Sequence, residues 1–164
     1  AAWVYERARP LPVARLVYDI EVIPDPEQAV QRVHDAQFDP AVTAILANDP
    51  ACALGPTPGT ADSAVIIDDA PGHWLIRTES ESGALLVLAE TAYPGWRVEV
   101  DGQTADVLTA YTTLKAVCVP PGAHEIVWTY APTIYQVGGI VTLGALLLLL
   151  ASLVIIRRQR TAGG

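Results

Sequence analysis

Trp96-Arg97-Val98-Glu99-Val100-Asp101-Gly102-Gln103-Thr104-Ala105-Asp106-Val107-Leu108 decides the fold class. Trp96, Val98 and Val100 alternate with charged residues, as a half-buried strand requires. Asp101-Gly102 then reverses the chain, because both residues tolerate the positive φ of a tight hairpin turn. Residues 103–108 form the returning strand.

The same grammar extends on both sides. Residues 112–119 and 124–130 make a further pair around Pro120-Pro121-Gly122, with Ile126, Trp128 and Tyr130 on one face of the last strand. Upstream, residues 64–67, 73–79 and 84–90 read as strands. The run Leu85-Leu86-Val87-Leu88-Ala89 suggests one buried on both faces. Arg15 to Ile23 reads as one strand. Asp25-Pro26-Glu27-Gln28 then starts a helix reaching about Ala36, with Asp25 as cap and Ala29, Val30 and Val33 as its apolar stripe. Residues 43–47 give one more short strand. Residues 48–63, broken by Pro50, Gly55, Pro56, Pro58 and Gly59, read as a mobile surface loop. Short strands at this spacing imply a mainly β protein, an antiparallel β-sandwich or jelly-roll-like domain with one short helix.

The chain has 164 residues and a net charge of −8, yet a mean hydropathy of +0.32. Residues 137–156 account for the contrast: 20 residues without a charge, of which 15 are aliphatic. That length suits a single C-terminal transmembrane helix. Seven basic and 18 acidic residues leave −11 before the run, and Arg157, Arg158 and Arg160 give +3 after it. The positive-inside rule then puts the acidic body outside a bacterial plasma membrane and the tail in the cytoplasm, with Trp128, Tyr130 and Tyr135 at the membrane interface. The expected organisation is an extracytoplasmic sandwich over 1–133, a membrane helix over 134–157 and a basic tail over 158–164. The lipid bilayer is therefore an expected partner. With no Met, even at position 1, the chain is expected to be a piece of a longer protein.

Strong acidity without a basic stripe argues against a nucleic-acid partner. His34, His73 and His124 stand apart, with no paired-ligand spacing, and neither serine-nucleophile nor phosphate-cradling motifs occur. No catalytic residue, cofactor site or metal site is assigned. A structural Ca²⁺ held by oxygens of Asn48, Asp49, Asp62, Asp68 and Asp69 is weighed against solvated turn carboxylates, and the latter is preferred. Cys52 and Cys118 read as two buried thiols, with one bridge in an oxidising compartment as the alternative. Trp74, Tyr93 and Tyr111 are the candidates for contact with sugar rings, whereas Trp96 reads as a core residue.

Glu90-Thr91-Ala92-Tyr93-Pro94-Gly95-Trp96-Arg97-Val98-Glu99-Val100-Asp101-Gly102, then Val119-Pro120-Pro121-Gly122 and His124-Glu125-Ile126-Val127-Trp128-Thr129-Tyr130, resembles the C-terminal region of the YfhO-like family of bacterial polytopic membrane proteins. Leu11-Pro12-Val13-Ala14-Arg15 and Phe38-Asp39-Pro40 agree with it. The resemblance implies a parent protein similar to GT-C-type glycosyltransferases that modify cell-envelope polymers with polyprenyl-phosphate-linked sugar. It also implies catalytic acids in an early loop that this chain lacks, and upstream membrane helices as partners. Two readings follow: an accessory module that orients an envelope glycan for such an enzyme, or a membrane-anchored carbohydrate- or protein-binding sandwich with no catalytic role.

Overall fold

A computed structural model describes residues 10–56, 58–132, 138–139, 141–150 and 152. The chain divides into two compact units, Ala1–Ala131 and Pro132–Gly164.

The first unit holds two sheets. One has six strands in the order β1 (Ala14–Val17), β6 (Ala84–Thr91), β10 (Leu114–Val119), β9 (Leu108–Ala110), β3 (Thr43–Leu46) and β2 (Asp19–Val22). The other has five, in the order β4 (Ser63–Asp68), β5 (His73–Ser80), β11 (Gly122–Tyr130), β7 (Trp96–Val100) and β8 (Gln103–Ala105). The turn chemistry behaves as the sequence implies: Asp101 and Gly102 take φ of +52° and +74° between β7 and β8.

β6 shows why this sheet is central. Leu86 and Leu88 enter a core shared by both sheets, with Ile76, Val98, Val117, Ile126 and Trp128. Leu85 and Val87 enter a second core with Ile45, Phe38, Ala116 and Tyr111. Strand alternation sends neighbouring side chains to opposite faces, so an unbroken apolar run fits only a strand covered on both sides. Each such leucine contributes about 2 kcal/mol on burial.

The segment expected as one strand is two, β1 and β2, broken at Tyr18. They form opposite edges of the six-stranded sheet. Laid flat, six strands would separate those edges by roughly 24 Å at about 4.8 Å per strand, far beyond the reach of one residue. The sheet is therefore rolled, and its concave side encloses the second core. β2 and β3 also pair in parallel, against the expectation of a wholly antiparallel fold. Parallel neighbours need a long crossover, and α1 (Pro26–Val33) supplies it. Asp25 caps α1 by accepting from the Gln28 amide at 2.9 Å, and Ala29 is buried.

Cys52 and Cys118 are joined in a disulfide, their Cα atoms 5.7 Å apart. This corrects the reading of two separate thiols: Cys118 on β10 faces the second core, and the 48–63 loop folds back to meet it. The loop is irregular but pinned. Besides the disulfide, the Gly55 amide donates to the Gly83 carbonyl at 2.7 Å. Asp62 accepts from Tyr18 and Ser80 hydroxyls and from the Gly59 and Glu81 amides.

In the second unit, residues 138–139, 141–150 and 152 are helical. Residues 133–137, 140, 151 and 153–164 lie outside the described residues, and with them Tyr135, Arg157, Arg158 and Arg160. No helix among the described residues is long and apolar enough to cross a membrane. The expected transmembrane helix is thus not found.

Candidate functional site

At one end of the sandwich, β5 begins, β11 ends, and the turn from β6 to β7 passes between the sheets. Here Lys115 of β10 projects into the shared core, its side chain fully buried. Its Nζ donates to Glu90 Oε2 at 2.7 Å. The ammonium lies 3.0 Å from the centre of the Trp96 ring and 5.1 Å from that of Trp128. Tyr130 closes the group, its ring 5.2 Å from Trp96 at a 49° tilt.

The register explains how Glu90 reaches the lysine. Lys115 pairs with Leu88, but Leu114 pairs with Thr91, so Ala89 and Glu90 have no partner on β10. Such a bulge re-aims a side chain. Burial pulls the Lys115 pKa down, and the Glu90 carboxylate opposes that shift. A buried ammonium is costly unless paired, and here one carboxylate and two indole faces compensate it. Glu90 is itself 36% exposed, so the carboxylate can also accept from a hydroxyl arriving from solvent.

The sequence contains the signal for this pair, although it was not among the expected site residues. Lys115, Val117 and Val119 share one face of β10, and Leu86, Leu88 and Glu90 one face of β6. A charged residue in each apolar register implies that the two meet.

The expected sugar-contacting residues do not converge. Tyr93 stands in the β6–β7 turn, 63% exposed. Trp74 faces inward from β5, opposite Trp128, and packs on the shared core. Tyr111 belongs to the second core, which corrects its placement as a surface aromatic. Its hydroxyl lies 2.9 Å from both the Pro40 and Thr43 carbonyl oxygens, Arg15 stacks over its ring, and burial raises its pKa. Among the expected membrane-interface residues, Trp128 is fully buried between the sheets and so is corrected to a core residue, while Tyr130 is 39% exposed.

The oxygens considered for Ca²⁺ serve separate turns. Asp49 accepts from the Ala51 amide, Asp62 holds the loop, and Asp68 meets His73 at 3.2 Å. Among the described residues, no three His, Cys, Asp or Glu side chains group as metal ligands. At the far end of the sandwich His124 Nδ1 is 2.6 Å from Asp101 Oδ2, and Nε2 is 3.1 Å from the Pro121 carbonyl. Both ring nitrogens face acceptors, so the imidazolium is favoured and the His124 pKa is raised, chiefly by Asp101. A groove of about 550 Å³ runs beside the disulfide, between Pro50 and Pro121.

Residues 73–142 match the model of a protein family described as bacterial membrane protein YfhO. No curated protein and no solved structure matches the chain. The matched stretch runs from the first residue of β5 through β11 and includes Glu90, Trp96, Lys115 and Trp128. A membrane-protein family supports a membrane location. Residues 73–142 are thus similar to the YfhO family of bacterial membrane proteins, the family that the YPGW and PPG motifs resemble.

Proposed function

We propose that this sandwich is an extracytoplasmic accessory module of a YfhO-family membrane protein that glycosylates cell-envelope polymers from a polyprenyl-phosphate-linked sugar. The family match over residues 73–142 carries this reading. The module positions the acceptor glycan, and the bond-making acids are those of the early extracytoplasmic loop that the resemblance implies for the family protein. Positioning lowers a barrier by holding the reacting groups in register.

Two features support the assignment. The Cys52–Cys118 disulfide suits an oxidising compartment, hence the outer side of a bacterial membrane. Tyr93, three residues after Glu90, offers an exposed ring for stacking on a sugar face, and Glu90 an acceptor for its hydroxyls.

The test is glycosyl transfer by the family protein carrying this module, with Tyr93→Ala compared with the unaltered protein. A positioning surface predicts a higher KM for the acceptor with kcat retained. A selective fall in kcat would overturn the accessory role.

A further inference from the structure

The two ends of the sandwich differ in chemistry, and the chain enters and leaves at the same one. Val13, just before β1, accepts from the Ala89 amide near the end of β6. At the end of β11 the Tyr130 amide donates to the Gly72 carbonyl, and just beyond it the Ala131 amide donates to that of Gly95. Both connections therefore pass beside the β6–β7 turn. That end exposes Tyr93 at 63%, Val13 at 45% and Tyr130 at 39%, with Trp96 half-buried behind them. Its carboxylates Glu90 and Asp68 each face a basic partner, Lys115 and His73, with Asp69 beside them.

In the turns of the opposite end, among the described residues, Tyr18 is half-buried and its hydroxyl is engaged by Asp62 and Ser80, so no Tyr or Trp ring is fully exposed there. Exposed Asp49, Glu81 and Asp106 gather there, without a salt-bridge partner among the described residues. An anionic bilayer surface repels such a face, whereas Tyr and Trp rings favour the headgroup layer, where one edge is apolar and the other wet.

We propose that the aromatic end, Tyr93 with Trp96 and Tyr130, rests in the phospholipid headgroup layer, with the acidic end pointing away from the membrane. The inference rests on the membrane location that the family supports, and it needs no glycan. A sandwich so placed keeps Tyr93 and Glu90 at the depth where the first sugars of a lipid-linked polymer lie.

The experiment uses the whole chain with phosphatidylglycerol vesicles whose lipids are brominated near the top of the acyl chains. Tyr93→Trp adds a reporter at the aromatic end and Gln103→Trp one at the acidic end, both at exposed positions. The expected result is a blue-shifted, bromine-quenched emission from position 93 and an unshifted, unquenched one from position 103. Equal quenching at both positions, greater quenching at 103, or none at 93 would each overturn the orientation. Because glycan is absent, failure here leaves the glycan-positioning reading standing, and failure of glycan binding leaves this one.

Discussion

Lys115 on β10 and Glu90 on β6 meet at 2.7 Å across a break in strand register, and the lysine side chain has no contact with solvent. The pair is unequal. Among the described residues Lys115 has Glu90 as its one carboxylate partner, whereas Glu90 keeps about a third of its side chain in water.

That inequality predicts unequal mutants. Glu90→Gln leaves a buried ammonium without its counter-charge and is expected to cost about 2 kcal/mol, below the ~3–5 kcal/mol of a fully buried broken pair because Glu90 is partly solvated. Lys115→Met fills the same space and leaves a carboxylate that water can reach, at a cost of about 1 kcal/mol or less. Urea unfolding of the two variants checks the order; a larger loss for Lys115→Met would show that the pair stabilises the sandwich outright.

Reducing Cys52–Cys118 frees a loop closed over a sequence separation of 66. The chain-entropy relation then gives a loss of about 4 kcal/mol. Thermal melting of Cys52→Ala/Cys118→Ala beside the oxidised chain measures it, and equal melting temperatures would show that the loop is held by its hydrogen bonds alone.

The His124–Asp101 pair makes stability depend on pH in two windows. Because the folded His124 pKa is raised above 6.5, its contribution is complete below that value and fades as pH rises through the folded one. Asp101 is held below its ordinary 3.8, first by the Glu125 amide and then by His124, so its contribution is present above 3.8 and fades on acidification through the folded value. His124→Gln is expected to flatten the neutral-to-alkaline decline in melting temperature. An unchanged profile in that variant would assign the decline elsewhere.

Two glycines are constrained for different reasons. Gly102 sits at φ +74° with open space around it, so Gly102→Ala meets only left-handed strain, about 1–2 kcal/mol. A Cβ on Gly83 would overlap the Ala53 carbonyl oxygen, forcing the disulfide-tethered loop off β6. Gly83→Ala should therefore destabilise more than Gly102→Ala in denaturant unfolding, and the reverse order would place the loop's close approach elsewhere.

Local chemistry was legible wherever it lies close in sequence. Asp101-Gly102 turns, Asp25 caps α1, and the apolar run of β6 is covered on both faces. The relationships that escaped are long-range. Nothing within Arg15 to Ile23 says that Tyr18 breaks it into strands on opposite sheet edges, because that depends on partners outside the segment, Leu85 for Val17 and Leu46 for Val22. Cys52 and Cys118 are compatible with either oxidation state until the loop's path is known. Tyr111 looked like a turn aromatic because its turn, with φ of +50° and +67° at Tyr111 and Thr112, folds the ring inward onto Phe38. The buried lysine was readable from alternation alone, but a lone Lys in a strand is ordinarily assigned to the solvent face.

The most direct measurement of the account is calorimetric titration of the chain with a lipoteichoic-acid-type envelope glycan. A glycan-positioning sandwich predicts saturable binding that Tyr93→Ala weakens by up to about tenfold, the value of one aromatic stacking contact at ~1.4 kcal/mol. Absence of saturable binding to every envelope glycan tried, with the chain folded and its disulfide intact, would contradict it.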